Sequence, residues 1–154
     1  MIYIGVDPGK EGGIVCLTET GGLFKTEKMP KVGKEYDLSV ILSLFDVPPP
    51  EEAIVFIEEM ITIPGQGSKS NATIGFGHGM LYMAFVANKV PFRVVRPQTW
   101  QKDVGVAKKL KGKARKDALV SKANQRWPDI GKHSGICDAA LIADWGRRNE
   151  MRLE

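Results

Sequence analysis

Three carboxylates in this chain stand where carboxylates are costly to bury. Asp7 closes the apolar run Ile2-Tyr3-Ile4-Gly5-Val6, Glu58 closes Ile54-Val55-Phe56-Ile57, and Asp138 opens Ala139-Ala140-Leu141-Ile142-Ala143. Any fold that takes these runs inside must carry the acids with them. Uncompensated burial of charge is expensive, so such groups are normally paired or bound to metal. Acids from separate segments that converge at strand ends suggest a divalent-cation site and metal-dependent chemistry.

The pattern around the acids sets the architecture. Residues 2 to 7 read as a strand. The turn Pro8-Gly9-Lys10-Glu11-Gly12-Gly13 leads to a second strand, Ile14 to Thr18, and Gly21-Gly22 to a third, Leu23 to Met29, making a β-meander. Asp37 to Phe45 has helical spacing at Leu38, Ile41, Leu42 and Phe45, and ends before the rigid linker Pro48-Pro49-Pro50. Ala53 to Ile57 is apolar throughout, as expected of a parallel strand covered on both faces. A polar, flexible segment, Pro64 to Asn71, precedes a helix from about Asn71 to Asn88, in which Gly75 and Gly79 lie one turn apart and permit close approach by another element. Phe92 to Arg96 is the next strand and Pro97 to Lys102 a short turn or helix. Helices then run from about Ala114 to Arg126, stopped by Trp127-Pro128, and from near Ser134 to Arg148. Strands first, then strands alternating with helices, imply an α/β protein with a mixed sheet of about five strands flanked by helices. No internal repeat or second domain is visible, so residues 1 to 154 read as one domain.

Composition narrows the function classes. With 154 residues, 43% of them hydrophobic and 26% charged, the chain can bury a full core. No stretch approaches the ~18 to 20 apolar residues of a membrane span, and the first residues already read as a core strand, not a secretory leader. A cytoplasmic protein is expected, with Cys16 and Cys137 as buried thiols, since two cysteines make no disulfide framework. The net charge of +4 is modest but unevenly placed. Six of the nine residues from Lys108 to Lys116 are basic, and Lys122, Arg126 and Lys132 follow, while Glu51, Glu52, Glu58 and Glu59 lie earlier. A basic run placed after an acidic site suits a polyanion held while metal ions act on its phosphates. A solvated helix face is the plainer alternative.

Each acid also has a plainer explanation. Strand alternation puts Asp7 on the face of Gly5, whose missing side chain leaves space beside the carboxylate; alternatively Asp7 only initiates the Pro8-Gly9 turn. Glu58 shares a face with Ile54 and Phe56, Glu59 with Val55 and Ile57, so at most one joins a given site; both could instead cap the strand in solvent. Asp138 has Leu141, Ile142 and Trp145 at offsets of three, four and seven, on the buried stripe of its helix. The dipole of a first helical turn would also favour an acid there. His133 sits just upstream, where a lone histidine is often simply solvated. Gly65-Gln66-Gly67-Ser68-Lys69-Ser70 lacks P-loop spacing, Gly75-Phe76-Gly77-His78-Gly79 is no dinucleotide fingerprint, and no Cys/His set has zinc spacing.

Taken together, these segments resemble the RuvC-type Holliday junction resolvases, a branch of the RNase H-like nucleases. Gly5-Val6-Asp7-Pro8-Gly9 resembles their first motif, Ile57-Glu58-Glu59 the second, the basic segment with Lys116 the DNA-binding stretch, and Asp138-Ala139-Ala140-Leu141-Ile142-Ala143 the last, in the family's order over most of the chain. There is one departure. Bacterial members place Asp or His three residues before the final acid, where this chain has Gly135; His133, five residues before it, is closer to chloroplast and phage relatives.

The resemblance implies an RNase H-like fold and a structure-selective endonuclease. Asp7, Glu58 and Asp138, with His133, would be the catalytic set and would hold two Mg²⁺ ions, replaceable by Mn²⁺, about 4 Å apart. Carboxylate oxygens suit such hard cations. The ions would activate the attacking water and stabilise the leaving 3′-oxygen, giving 5′-phosphate and 3′-hydroxyl ends. Lys113, Arg115, Lys116 and Lys122 would contact phosphates. Gln66, Ser68, Lys69 and Ser70 would meet the branch point, and Ile61 or a neighbour would wedge between bases. A homodimer would make two symmetric nicks in a four-way DNA junction inside a bacterial or phage-infected cell, with the Gly-containing helix as a candidate dimer surface. Competing readings are a nuclease for flaps or forks, a non-catalytic branched-DNA-binding protein, and the actin-like kinases, for which one domain of this length is too short.

Overall fold

The first apolar run can form a central strand because one face is nearly bare of side chain at Gly5. In the computed structural model, which describes residues 1–46, 52–61, 65 and 67–150, β1 (Ile2–Asp7) lies in the middle of a five-stranded sheet. It pairs antiparallel with β2 (Gly13–Leu17), which pairs antiparallel with β3 (Leu23–Lys28). On its other side β1 pairs parallel with β6 (Ala53–Glu58), and β6 pairs parallel with β7 (Phe92–Val95). The order is β3-β2-β1-β6-β7. A two-residue hairpin, β4 (Lys31–Val32) with β5 (Glu35–Tyr36), follows the meander and was not expected; strands this short carry no readable periodicity. The Pro48-Pro49-Pro50 linker lies outside the described residues.

Alternation sorts the strand side chains into two cores. Ile4, Val6, Ile14, Cys16, Val55 and Ile57 face α1 (Leu38–Leu44) and α2 (Ser68–Ala87). Tyr3, Val15, Leu17 and Phe56 face α5 (Ser134–Glu150), which α3 (Pro97–Asp103) and α4 (Gly112–Arg126) flank. Local chemistry sets the ends. The Asp37 carboxylate accepts the Val40 N–H and caps α1, and Pro97 opens α3 with its ring already at helical φ. α2 begins at Ser68, so part of the segment expected to be flexible is helical. Its polar residues form an exposed first turn, bonded back to the Gly67 carbonyl, and contribute no apolar signal. Cys16 and Cys137 are buried free thiols. No helix among the described residues is long and apolar enough to cross a membrane.

The space at Gly5 is filled by a helix and is not left open beside the carboxylate. A Cβ there would overlap the Ala139 carbonyl oxygen and come within 2.6 Å of the Ala143 nitrogen. The same closeness explains Gly135. It forms a bridge with Gly12, and a Cβ on it would lie 2.5 Å from the Gly12 Cα and overlap the Glu11 carbonyl. No Asp or His fits at position 135 while α5 lies this close to the β1–β2 turn. Gly5→Ala is therefore expected to destabilise the protein by about 3 kcal/mol or more, a Tm loss of roughly 10 °C. Gly79→Ala is the control. A Cβ there meets nothing within 4 Å, so that variant should gain up to about 1 kcal/mol of helix propensity. Equal melting temperatures for the two variants would contradict the packing.

Candidate active site

Strand register brings the first two acids together. Val6 pairs with Ile57, so the next residues, Asp7 and Glu58, end neighbouring parallel strands side by side. Both continue the α5 face, Asp7 after Tyr3 and Gly5, Glu58 after Ile54 and Phe56. Glu59 turns elsewhere and pairs with Arg96 at 3.4 Å. Asp138 arrives from above, next to Ala139, whose backbone rests on Gly5. It is the fifth residue of α5, beyond the first turn, so the dipole of the helix start does not account for it.

Burial raises these carboxylates, and mutual repulsion adds to it at Glu58 and Asp138. Burial pushes Asp7 up to about 6, against the Gly9 N–H, Lys116 and His78, which favour its charged form. Glu58 is pushed up to about 7, by burial and then by Asp7. Asp138 is pushed up to about 8, by burial and then by Asp7 and Glu58 together. Lys116 acts on Asp7 and Asp138, and Arg115 on Glu58 and Asp138, so α4 sets two cations over the acids. Mutually repelling, partly desolvated carboxylates are the signature of a place prepared for a further positive charge.

Among the described residues, no group of three or more His, Cys, Asp or Glu side chains is placed to hold a metal ion. The donor chemistry nevertheless fits a hard divalent ion, because the set is all carboxylate. Asp138 also carries an orphan acceptor: its Oδ1 is buried without a hydrogen-bond partner. Such an atom ordinarily costs a few kcal/mol unless something unseen satisfies it.

Supporting groups surround Asp7 and Glu58. The Gly9 N–H donates to Asp7 Oδ1 at 3.4 Å. The Trp100 indole N–H donates to Glu58 Oε2 at 2.8 Å. The buried His78 ring lies between two carbonyl oxygens, Ile74 at Nδ1 and Glu58 at Nε2, each 3.1 Å away. It ties α2 to the end of β6. The Tyr36 hydroxyl donates to the Pro8 carbonyl at 3.2 Å. Sequence reasoning missed Trp100, His78 and Tyr36. The available signal was Trp100, a large ring in the otherwise polar Pro97-Gln98-Thr99-Trp100-Gln101-Lys102.

The other expected residues divide. A groove of about 570 Å³ opens beside the Asp7 turn, lined among others by Pro8, Gly9, Tyr36, Lys69, Ser70 and His78. Lys69 and Ser70 thus share a groove with the turn that follows Asp7. Ser68 is exposed at the start of α2, Ile61 is exposed after β6, and Gln66 lies outside the described residues. Lys113 pairs with Asp117 at 2.6 Å. Lys122 lines a separate pocket with Asp103, Arg126 and Arg148, and does not act on the carboxylates. The structure does not bring His133 to the acids. Its Nδ1 accepts the Ile136 N–H at 3.3 Å, capping α5.

A mixed five-stranded sheet with helices on both faces and acids at the ends of its central strands is the RNase H-like architecture. Within that class the chain has the fold of RuvC. It is similar to Thermus thermophilus RuvC in complex with Holliday junction substrate, with a TM-score of 0.73 and 16% identity over 98% of this chain and 96% of that one. It is also similar to a second Thermus thermophilus RuvC structure, with a TM-score of 0.68 and 17% identity over 99% of this chain and 97% of that one. No protein-family model and no curated protein matches the sequence.

Proposed function

We propose that the chain is a single-domain, divalent-metal-dependent endonuclease that resolves Holliday junctions and related branched DNA by paired nicks. The observation that carries this is the convergence of Asp7 and Glu58 at the ends of paired strands beside Asp138 of α5, with Arg115 and Lys116 favouring their charged forms. Asp7, Glu58 and Asp138 would hold Mg²⁺, which supplies Lewis-acid stabilisation of charge on a phosphodiester and leads to 5′-phosphate and 3′-hydroxyl ends. His133 would serve as a further ligand or proton carrier only if DNA binding draws it in from its cap position.

The protein's own groups do the rest. Arg115 and Lys116 place a strand's phosphate over the acids, and Lys113 and Lys122 extend the positive track along α4 and beyond. Lys69 and Ser70, with Gln66 and Ser68 nearby in sequence, receive the branch point at the groove beside Asp7. One gel tests the assignment: four-way junction, flap, fork and linear duplex, each with Mg²⁺. Symmetric nicks in the junction are expected. A junction that is bound and never cut would make the protein a non-catalytic binder, and preference for flaps or forks would reassign the substrate.

Paired nicks need two sites, which a second copy of the chain packed on the α1–α2 face would supply. Leu38, Leu42, Phe76, Met83 and Val86 are exposed there, around an apolar groove of about 640 Å³ with Gly79 at its floor. Exposed apolar side chains at helical spacing (76, 83, 86) are costly in water and suit packing against an identical helix. Met83→Glu is expected to yield monomers in sedimentation and to uncouple the two nicks. A variant that still sediments as a dimer would move the interface elsewhere.

A further inference from the structure

Trp100 is fully buried in a helix whose other residues are mostly polar. A buried indole needs an acceptor for its N–H, and a backbone carbonyl suffices. Trp127 has that ordinary arrangement, donating to the Gly21 carbonyl at 2.9 Å. Trp100 donates to a carboxylate instead, Oε2 of Glu58, at 2.8 Å. The choice of donor matters. A guanidinium or ammonium in that place would neutralise Glu58 and compete with any cation. An indole fixes the carboxylate's orientation, leaves its charge in place, and occupies only one of its two oxygens.

The other end of Glu58 is held as well. Its carbonyl faces the His78 ring at 3.1 Å, and the N–H of the same peptide unit, that of Glu59, donates to the Val95 carbonyl at 2.8 Å. Backbone and side chain are therefore both constrained, and among the described residues the indole is the one side-chain hydrogen-bond donor to the carboxylate. Groups that orient a ligand in this way typically change metal affinity or activity about 10- to 100-fold when removed.

We propose that Trp100 is a positioning residue: its indole N–H holds Oε2 of Glu58, leaves Oε1 as the donor for a divalent cation, and senses when that cation binds. This rests on reading the acids as a cation site. The test uses the full-length, ¹⁵N-labelled protein without DNA. Its three tryptophans give three indole N–H signals, assigned with Trp100→Phe, Trp127→Phe and Trp145→Phe, any two of which suffice by elimination. On titration with Mg²⁺ the Trp100 signal should move and saturate at the midpoint found by calorimetry, while the Trp127 signal stays. Trp100→Phe should raise that midpoint by about 10- to 100-fold, with the cleavage rate recovering at high Mg²⁺. A fixed Trp100 signal while calorimetry registers binding would overturn the proposal and leave the cation site standing. So would a folded Trp100→Phe with an unchanged midpoint. No Mg²⁺ uptake at millimolar concentration would remove the cation site itself, and the proposal with it.

Discussion

Asp7→Asn is expected to abolish Mg²⁺-dependent cleavage of a four-way junction, a fall of about 1,000-fold or more, equivalent to some 4 kcal/mol of transition-state stabilisation. Asp7 is the acid to change because it ends the strand at the centre of the sheet and acts on both other carboxylates. Asparagine keeps the side-chain oxygen that accepts the Gly9 N–H, so the turn survives. It removes one of the charges that raise Glu58 and Asp138, so the folded protein gains stability if anything. Junction binding should persist, because Arg115 and Lys116 are untouched. Its affinity should fall steeply with salt, as counterion release requires, with a slope in log-log form of about −0.9 per phosphate contact. Cleavage by Asp7→Asn at the wild-type rate would end the nuclease assignment, and salt-independent binding would end the role of the basic helix.

The parts of this site legible in sequence are those that depend on local periodicity. Alternation in a strand is enough to put Glu58 on the face of Phe56 and Glu59 on the other, and the helical offsets of Asp138 are enough to turn it inward. What needed tertiary structure is which positions along a basic helix reach the acids. Arg115 and Lys116 do. Lys122, two turns further along α4 and so about 10 Å away, lines a separate pocket with Asp103 and Arg126 instead. Composition treats these lysines alike. His133 shows the opposite limit: its offset from Asp138 resembles a known pattern, yet the same offset also makes it the residue that caps α5. The missing side chain of Gly5 marks a space in the sequence, but only the position of α5 determines what enters that space. The β4–β5 hairpin and the first turn of α2 left no signal, since neither buries an apolar stripe long enough to read.

The metal-free protein should lose stability as pH rises, the reverse of what paired carboxylates do. In the folded state Asp7, Glu58 and Asp138 keep their protons up to about 6, 7 and 8, chiefly because of burial. In the unfolded chain the same groups release them near 4. Between those values the folded state binds more protons, so each unit of rising pH favours unfolding. The stabilisation is complete below about pH 4 and is lost as pH passes through the folded values. From pH 5.5 to 8 the loss is on the order of 3 to 6 kcal/mol, or roughly 10 °C or more in Tm for a chain of this size. Mg²⁺ reverses the trend, because an ion that binds deprotonated carboxylates displaces those protons and binds more tightly as pH rises. Melting curves at pH 5.5 and 8, with EDTA and with Mg²⁺, give the four values needed. Asp138→Asn should flatten the metal-free profile most, since Asp138 is raised furthest. A metal-free protein whose melting temperature holds or climbs between pH 5.5 and 8 would mean that the acids are neither desolvated nor crowded together. An ion could then no longer be what the site is built to receive.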